Sequence, residues 1–350
     1  MRLGYHTGYW SAGPPAGAQE AVLAAERLGF DSVWTAEAYG SDAFTPLAWW
    51  GAATHRIRLG TAVAQISART PTATAMAALT LDHLSGGRFV LGLGVSGPQV
   101  VEGWYGQPYP RPLARTREFV AVVRQVLARE APVTLDGEFY RLPLPADQGM
   151  GLGKALRSTV HPLRPDLPIH LAAEGPRNVA LAAEIADGWL PLFYAPRLDD
   201  RFRQLLADGF ARRAPGASPA GDFEVTATVP VVLADSVEQA ADTVRPFIAL
   251  YAGGMGARGA NYHRDALARL GYAEALDEIT AHFLAGDRGR AAAAVPTELV
   301  RDVALVGTAD DLAEQLAAWR TTAVTTLLLQ TDPRRLPEVA GALGATVCEP

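Results

Sequence analysis

Thr325-Thr326-Leu327-Leu328-Leu329-Gln330 is an apolar run near the end of the chain, and its reading decides between two folds. It follows a helix-like stretch, Thr308–Trp319, and seven earlier strand-like runs precede it: Arg2–His6, Ser32–Thr35, Ile57–Ile66, Phe89–Leu93, Ile169–Ala172, Gly188–Leu192 and Val225–Leu233. Helical stretches alternate with them: Ala18–Leu28 (ended by Gly29), Asp42–Thr54 (Pro46 in its first turn), Pro71–Leu84, Arg177–Ile185 and Val237–Leu250. This alternation predicts a parallel sheet with helices outside. A doubly wound sheet in two domains is the other solution, but no interdomain linker is visible. An apolar last strand suits closure of a ring. The chain therefore reads as α/β, a TIM-like (β/α)8 barrel with insertions, in a single domain over 1–350.

Two insertions are expected, near 132–165 and 253–296. The first holds a hairpin around Asp136-Gly137 and a glycine-rich stretch, Gly149–Gly153; the second opens as GGMGARG and turns helical. Long loops in a compact domain are usually lids or binding loops.

Composition removes several function classes. The 350 residues are 49% hydrophobic and 19% charged, with net charge −6, which excludes a disordered chain. With no basic run and an acidic balance, no nucleic-acid partner is expected. Cys348 is the only cysteine, which excludes intramolecular disulfides and cysteine-based metal sites and fits a reducing, cytoplasmic compartment. Met1–His6 begins no signal-peptide h-region, and no apolar stretch approaches 18 residues, so no membrane association is expected. Lys154 is the only lysine. The seven histidines lack metal-site spacing, so no metal is expected. No Gly-x-Ser-x-Gly elbow occurs, and Gly92-x-Gly94 lacks the acidic partner of a dinucleotide fingerprint.

Two loops share one design. Gly94-Val95-Ser96-Gly97-Pro98-Gln99 follows one strand, and Ala173-Glu174-Gly175-Pro176-Arg177-Asn178 follows another. In each, a Gly-Pro pair opens a helix. Proline suits the first helical position, and the helix start offers free N–H groups to an anion. Both leave the C-terminal ends of strands, where barrel active sites lie. Together they suggest a polyanionic ligand across the mouth; singly, each also describes an ordinary tight turn. Glu37 ends another strand, where a carboxylate serves as catalytic acid or cofactor partner. His6 ends the first strand and is either a mouth residue or a core imidazole. Small residues beside Gln65, in Gly60–Ser67, suggest a flat group against the backbone or else core packing. Tyr9, Trp10, Tyr39, Trp49, Trp50, Trp104, Tyr105 and Trp189 supply candidates for an apolar wall.

Several runs carry a family resemblance: Gly29–Glu37, Arg58–Val63, Leu81–Phe89, Gly92-Leu93-Gly94, Ser96–Gly106, Leu171–Val179 and Tyr251–Gly256. Together they resemble the bacterial-luciferase-like superfamily, and most closely its coenzyme F420-dependent branch, related to methylenetetrahydromethanopterin reductase. The resemblance implies a homodimeric TIM-like barrel that binds the deazaflavin at its mouth and transfers a hydride to or from a small organic substrate. It implies a non-prolyl cis peptide at Ala62-Val63 against the ring, with Ala64 beside it. It implies that Ser96, Gly97, Pro98 and Gln99, with Ala173, Glu174, Gly175, Pro176 and Asn178, hold the phosphate and ribityl chain. Several relatives place a histidine where Ala38 stands, so the proton donor must come from elsewhere. Glu37 is the first choice, with Gln99, His6 and Glu102 behind it. An FMN-dependent, oxygen-using monooxygenase is the alternative within the superfamily. A non-catalytic small-molecule-binding barrel is the alternative outside it.

Overall fold

The computed structural model describes residues 1–214, 217–256, 259 and 261–345. Cys348 and part of the run GGMGARG lie outside the described residues.

Twelve strands are present among the described residues: β1 (Arg2–His6), β2 (Ser32–Thr35), β3 (Arg58–Thr61), β4 (Ala64–Gln65), β5 (Phe89–Gly94), β6 (Leu135–Asp136), β7 (Arg141–Leu142), β8 (Ile169–Ala172), β9 (Gly188–Leu190), β10 (Glu224–Leu233), β11 (Leu305–Gly307) and β12 (Thr326–Gln330). All barrel pairings are parallel. The ring runs β1, β2, β3 with β4, β5, β8, β9, β10 and β12, and β12 returns to β1. The apolar last strand thus closes the barrel, as expected.

Around the ring lie α1 (Ala18–Arg27), α2 (Phe44–Gly51), α3 (Pro71–Leu84), α4 (Pro98–Gly103), α5 (Pro112–Ala128), α6 (Pro176–Ile185), α7 (Asp199–Phe210), α8 (Val237–Gly253), α9 (Tyr262–Leu267), α10 (Ala273–Leu284), α11 (Arg288–Ala293), α12 (Thr297–Val303), α13 (Ala309–Trp319) and α14 (Leu336–Ala342). Local chemistry sets their starts. Thr70 caps α3 by accepting from the Ala73 N–H at 3.2 Å, ahead of Pro71. Thr308 and Asp311 form a reciprocal capping box on α13.

Strand alternation divides the core. Tyr5, Val33, Leu59, Leu327 and Leu329 join one large cluster against the helices. Trp34, Val90, Leu190 and Leu328 form a separate small cluster with Ala62, Val63 and Ala172, which fills the lumen under the mouth. A third cluster joins α8, α12 and the 253–296 insertion, where α9, α10 and α11 pack on α8.

Two details differ from expectation. The run Ile57–Ile66 is not one strand: it breaks into β3 and β4 around Ala62 and Val63. The short strand β11 was not foreseen, and it extends the sheet by pairing with the far half of β10. The hairpin around Asp136-Gly137 is present as β6 and β7. No helix among the described residues is long and apolar enough to cross a membrane.

At the N-terminal end the lumen is floored by charge. Arg58 donates to Asp31 at 2.6 Å and to both Glu224 oxygens at 3.1 Å, and Arg2 reaches Glu224 at 2.9 Å. Burial pushes Glu224 up, but the attractions of His170, Arg58 and Arg2 outweigh it and hold the carboxyl below its usual range. His170 stacks on Trp34, and burial lowers its pKa to about 4.

Candidate active site

The mouth is built on the break between β3 and β4. Strand β5 reads Phe89-Val90-Leu91-Gly92-Leu93-Gly94, so period-2 alternation puts both glycines on the lumen face. A Cβ at Gly92 would collide with the Thr61 carbonyl oxygen, and one at Gly94 with Val63. The glycines leave room that the break fills. There the Ala62–Val63 peptide is cis, as the resemblance implied. Thr61 pins the junction: its hydroxyl donates to the Gly92 carbonyl at 2.7 Å and accepts from the Gly92 N–H at 2.9 Å. The Gly92-x-Gly94 pair therefore has a packing reason and needs no dinucleotide.

A cavity of about 860 Å³ opens above this bulge, lined from the strand ends and the loops that follow them. His6 is buried at its base. Its Nδ1 accepts from the Gly8 N–H at 3.1 Å, so the proton is on Nε2, which donates to the Ala62 carbonyl at 3.3 Å. Burial lowers its pKa to about 4, so the ring is neutral near pH 7.

Glu37 also lines the cavity, but both its oxygens are engaged. Oε2 accepts from the Gln65 N–H at 2.8 Å, and Arg69 reaches Oε1 at 2.8 Å and Oε2 at 3.0 Å. Arg69 is itself held over the Phe44 ring, 5.0 Å from its centre. Gln65 then donates its amide N–H to the Glu37 and Ala38 carbonyls at 3.0 and 3.2 Å. Its Oε1 is buried without a partner among the described residues, and Gln65 lines the cavity. A buried acceptor without a partner, on a side chain that lines a cavity, can be completed by a ligand N–H once the side chain turns toward it.

The two Gly-Pro loops stand at the other end. Gly97 and Gly175 are the N-caps of α4 and α6, with Pro98 and Pro176 at the first helical positions and no side-chain cap on either helix. Ser96 holds a left-handed φ of 58°, and Tyr109 donates to its carbonyl at 2.9 Å. Trp189 donates to the Ala173 carbonyl at 2.8 Å, and Arg269 to the Glu174 carbonyl at 3.1 Å. Asn178 faces back toward the Ala172 carbonyl at 3.4 Å. Arg111 and Arg177 bring positive charge to the lining, Arg111 already paired with Glu138.

The cavity gathers His6, Glu37, Ala62, Val63, Ser96, Gly97, Gln99, Ala173, Glu174, Gly175, Pro176 and Asn178. Ala64 and Pro98 fall outside its lining: Ala64 is buried in the ladder with β5, and Pro98 only starts its helix. The aromatic wall needs correction. Of the eight candidates only Tyr9 and Tyr39 line the cavity. Trp50 and Trp189 are core, and Trp49 and Trp104 face solvent. The wall is completed by Tyr109, Tyr251 and Tyr262. His263 joins them, its Nδ1 2.7 Å from Glu174 Oε1. These residues come from the α4–α5 connection, the end of α8 and α9, which nothing local in the sequence marks as mouth-facing; only the run Tyr251–Gly256 gave a signal. Lys154 is exposed and away from the cavity.

Comparison with known proteins gives concordant likenesses. The sequence profile of the family described as luciferase-like monooxygenase matches residues 2–326. A protein of Mycobacterium tuberculosis, whose name proposes a coenzyme F420-dependent oxidoreductase, is 58% identical over 330 residues, 94% of each chain. The 5,10-methylenetetrahydromethanopterin reductase of Archaeoglobus fulgidus is 29% identical over 84% of this chain and 83% of its own. Among solved structures, the coenzyme F420-dependent tetrahydromethanopterin reductase of Methanopyrus kandleri superposes with a TM-score of 0.80 at 20% identity, covering 99% of each chain.

Proposed function

The chain belongs to the luciferase-like monooxygenase family, and from that premise we propose that it is a coenzyme F420-dependent oxidoreductase acting on a small organic substrate. One observation carries the reading beyond family membership. A single cavity joins a flat backbone bulge beside Gln65, whose buried Oε1 has no partner among the described residues, to two uncapped helix starts. Those features match a ring bearing N–H groups at one end and a phosphate at the other.

When bound, the deazaflavin supplies hydride chemistry that no side chain here provides. The chain supplies the rest. Ala62, Val63 and Gln65 receive the ring, with His6 holding the Ala62 carbonyl from below. Gly97, Gln99, Gly175 and Asn178 face the anionic chain with backbone N–H groups and amides, and Pro176, which has no N–H, fixes the start of α6. Glu37 is a positioning residue in this reading, not the acid: its carboxylate fixes Gln65 and Arg69 and has no free oxygen to offer.

Absorbance titration of the purified protein with F420 and, separately, with FMN tests this. Saturable F420 binding, at least tenfold tighter than FMN, is expected. Tight FMN binding without F420 binding would instead support the oxygen-using monooxygenase. Binding of neither would support a non-catalytic barrel. We propose also that the chain works as a homodimer in the cytoplasm. The cysteine usage supports the compartment, and the exposed Trp49 of α2 with Met76 and Leu84 of α3 supports a partnered face. Sedimentation equilibrium at micromolar concentration reads the dimer, and a monomer there would remove it.

A further inference from the structure

Four titratable side chains from four separate elements meet on one wall of the cavity. Glu174 follows β8, His263 is on α9, Tyr251 is on α8, and Tyr9 follows β1. The His263 Nδ1 lies 2.7 Å from Glu174 Oε1. The ring is boxed edge-on by Tyr251, 4.8 Å between centres, and by Phe193 at 6.2 Å. Burial, with the nearby Glu174 charge, raises both phenols, so they stay protonated. Glu174 was expected in the anion cradle. A carboxylate repels a phosphate, however, and this one is half-buried with its Oε1 on an imidazole.

That geometry has a chemical meaning. A carboxylate on Nδ1 fixes the tautomer and orientation of an imidazole and stabilises its protonated form. It also leaves Nε2 as the only ring nitrogen able to serve the cavity. Glu37, the other carboxylate on this cavity, is spent on Arg69. We propose that His263, oriented by Glu174, is the proton donor and acceptor at the substrate's oxygen, which makes the substrate couple a neutral carbonyl and its alcohol. In the reducing direction the Nε2–H bond of the imidazolium breaks and an O–H bond forms. The hydride added to the carbonyl carbon comes from the reduced deazaflavin. Oxidation is the reverse, with the hydroxyl proton returning to Nε2. Met255, Leu192 and Tyr262 line the cavity with the dyad and present no charge to the substrate. The hydride half rests on the proposed function; the proton half rests on the dyad.

The groups facing His263 are Glu174, Tyr251 and Tyr9 from the packed elements, with Arg264 and Asp265 on its own helix; Arg264 is paired with Asp277. The test uses two readouts that need no turnover. Nitrogen-15 NMR of the unliganded protein should show neutral His263 with its proton on Nδ1, and Glu174→Gln should abolish that preference. Isobutyramide, an unreactive amide whose carbonyl mimics a ketone, is then titrated into protein carrying reduced F420. Binding should fall at least tenfold in His263→Phe, with F420 affinity within twofold of the parent. Should His263→Phe not fold, Glu174→Gln must weaken amide binding while leaving F420 affinity within twofold of the parent. A proton on Nε2 in the neutral parent overturns the proposal. So does amide binding unchanged in His263→Phe, or no amide binding to the parent. A parent that binds no F420 yet shows the Nδ1 tautomer overturns the deazaflavin reading and leaves the dyad standing.

Discussion

The two ends of the barrel use similar residues for different work. At the floor Arg58, Arg2, Asp31 and Glu224 satisfy one another, and His170 is sealed beside them with its Nδ1 unpaired among the described residues. At the mouth Arg69 and Glu37 also pair, but around them lie an open amide oxygen, two uncapped helix starts and an imidazole with a nitrogen to spare. Satisfied charge stabilises a fold and binds nothing. An unsatisfied polar group costs stability wherever it lies, and beside the cavity a ligand can complete it. The teaching of the contrast is that stability and binding should be separable by end.

Acid should strike both ends at once. Unfolded imidazoles take a proton below about pH 6.5, whereas His6 at the mouth and His170 at the floor refuse one until about pH 4. The unfolded chain thus binds more protons through that window, so stability falls as pH drops from 6.5 to 4 and levels below it. The loss is on the order of 2–3 kcal/mol for each ring by pH 4.5. Urea unfolding of the parent, His6→Gln and His170→Gln at several pH values checks it: each variant should lose its own share of the slope.

Gly92→Ala should cost about 3 kcal/mol, because its Cβ meets backbone and cannot be accommodated by a rotamer. F420 binding should go with it, since the bulge must move. At the floor, Arg58→Met should cost roughly 2 kcal/mol by leaving two half-buried carboxylates with only Arg2 to share, and F420 affinity should not change. Loss of affinity in Arg58→Met would blur the division between the ends. Gly175→Asp is the converse. Nothing lies within 4 Å of its Cβ, so the melting point should hold. A carboxylate at the helix start should weaken F420 binding about tenfold, equal to ~1.4 kcal/mol.

How much of this was legible in the sequence follows the same division. The order of strands and helices, the apolar closing strand and both Gly-Pro helix starts are local patterns, and they appear where the residues place them. The cis peptide at Ala62-Val63 came through family likeness. The GxG under it makes sense only once the register sets β5 beside β3. The eight aromatic residues could not be sorted by sequence, because Trp49 and Trp50 differ by one helical step and end on opposite faces. Glu37 reads as a free acid until Arg69, 32 residues later, is placed against it. His263 and Glu174 are 89 residues apart and meet only because the second insertion folds over the mouth.

A crystal structure of the protein with F420 tests the central claim most directly. The expected result is the deazaflavin ring against Ala62-Val63 with an N–H on Gln65 Oε1, and the phosphate at Gly97-Pro98 and Gly175-Pro176. A phosphate bound away from both helix starts, or a ring outside the lumen, would contradict it.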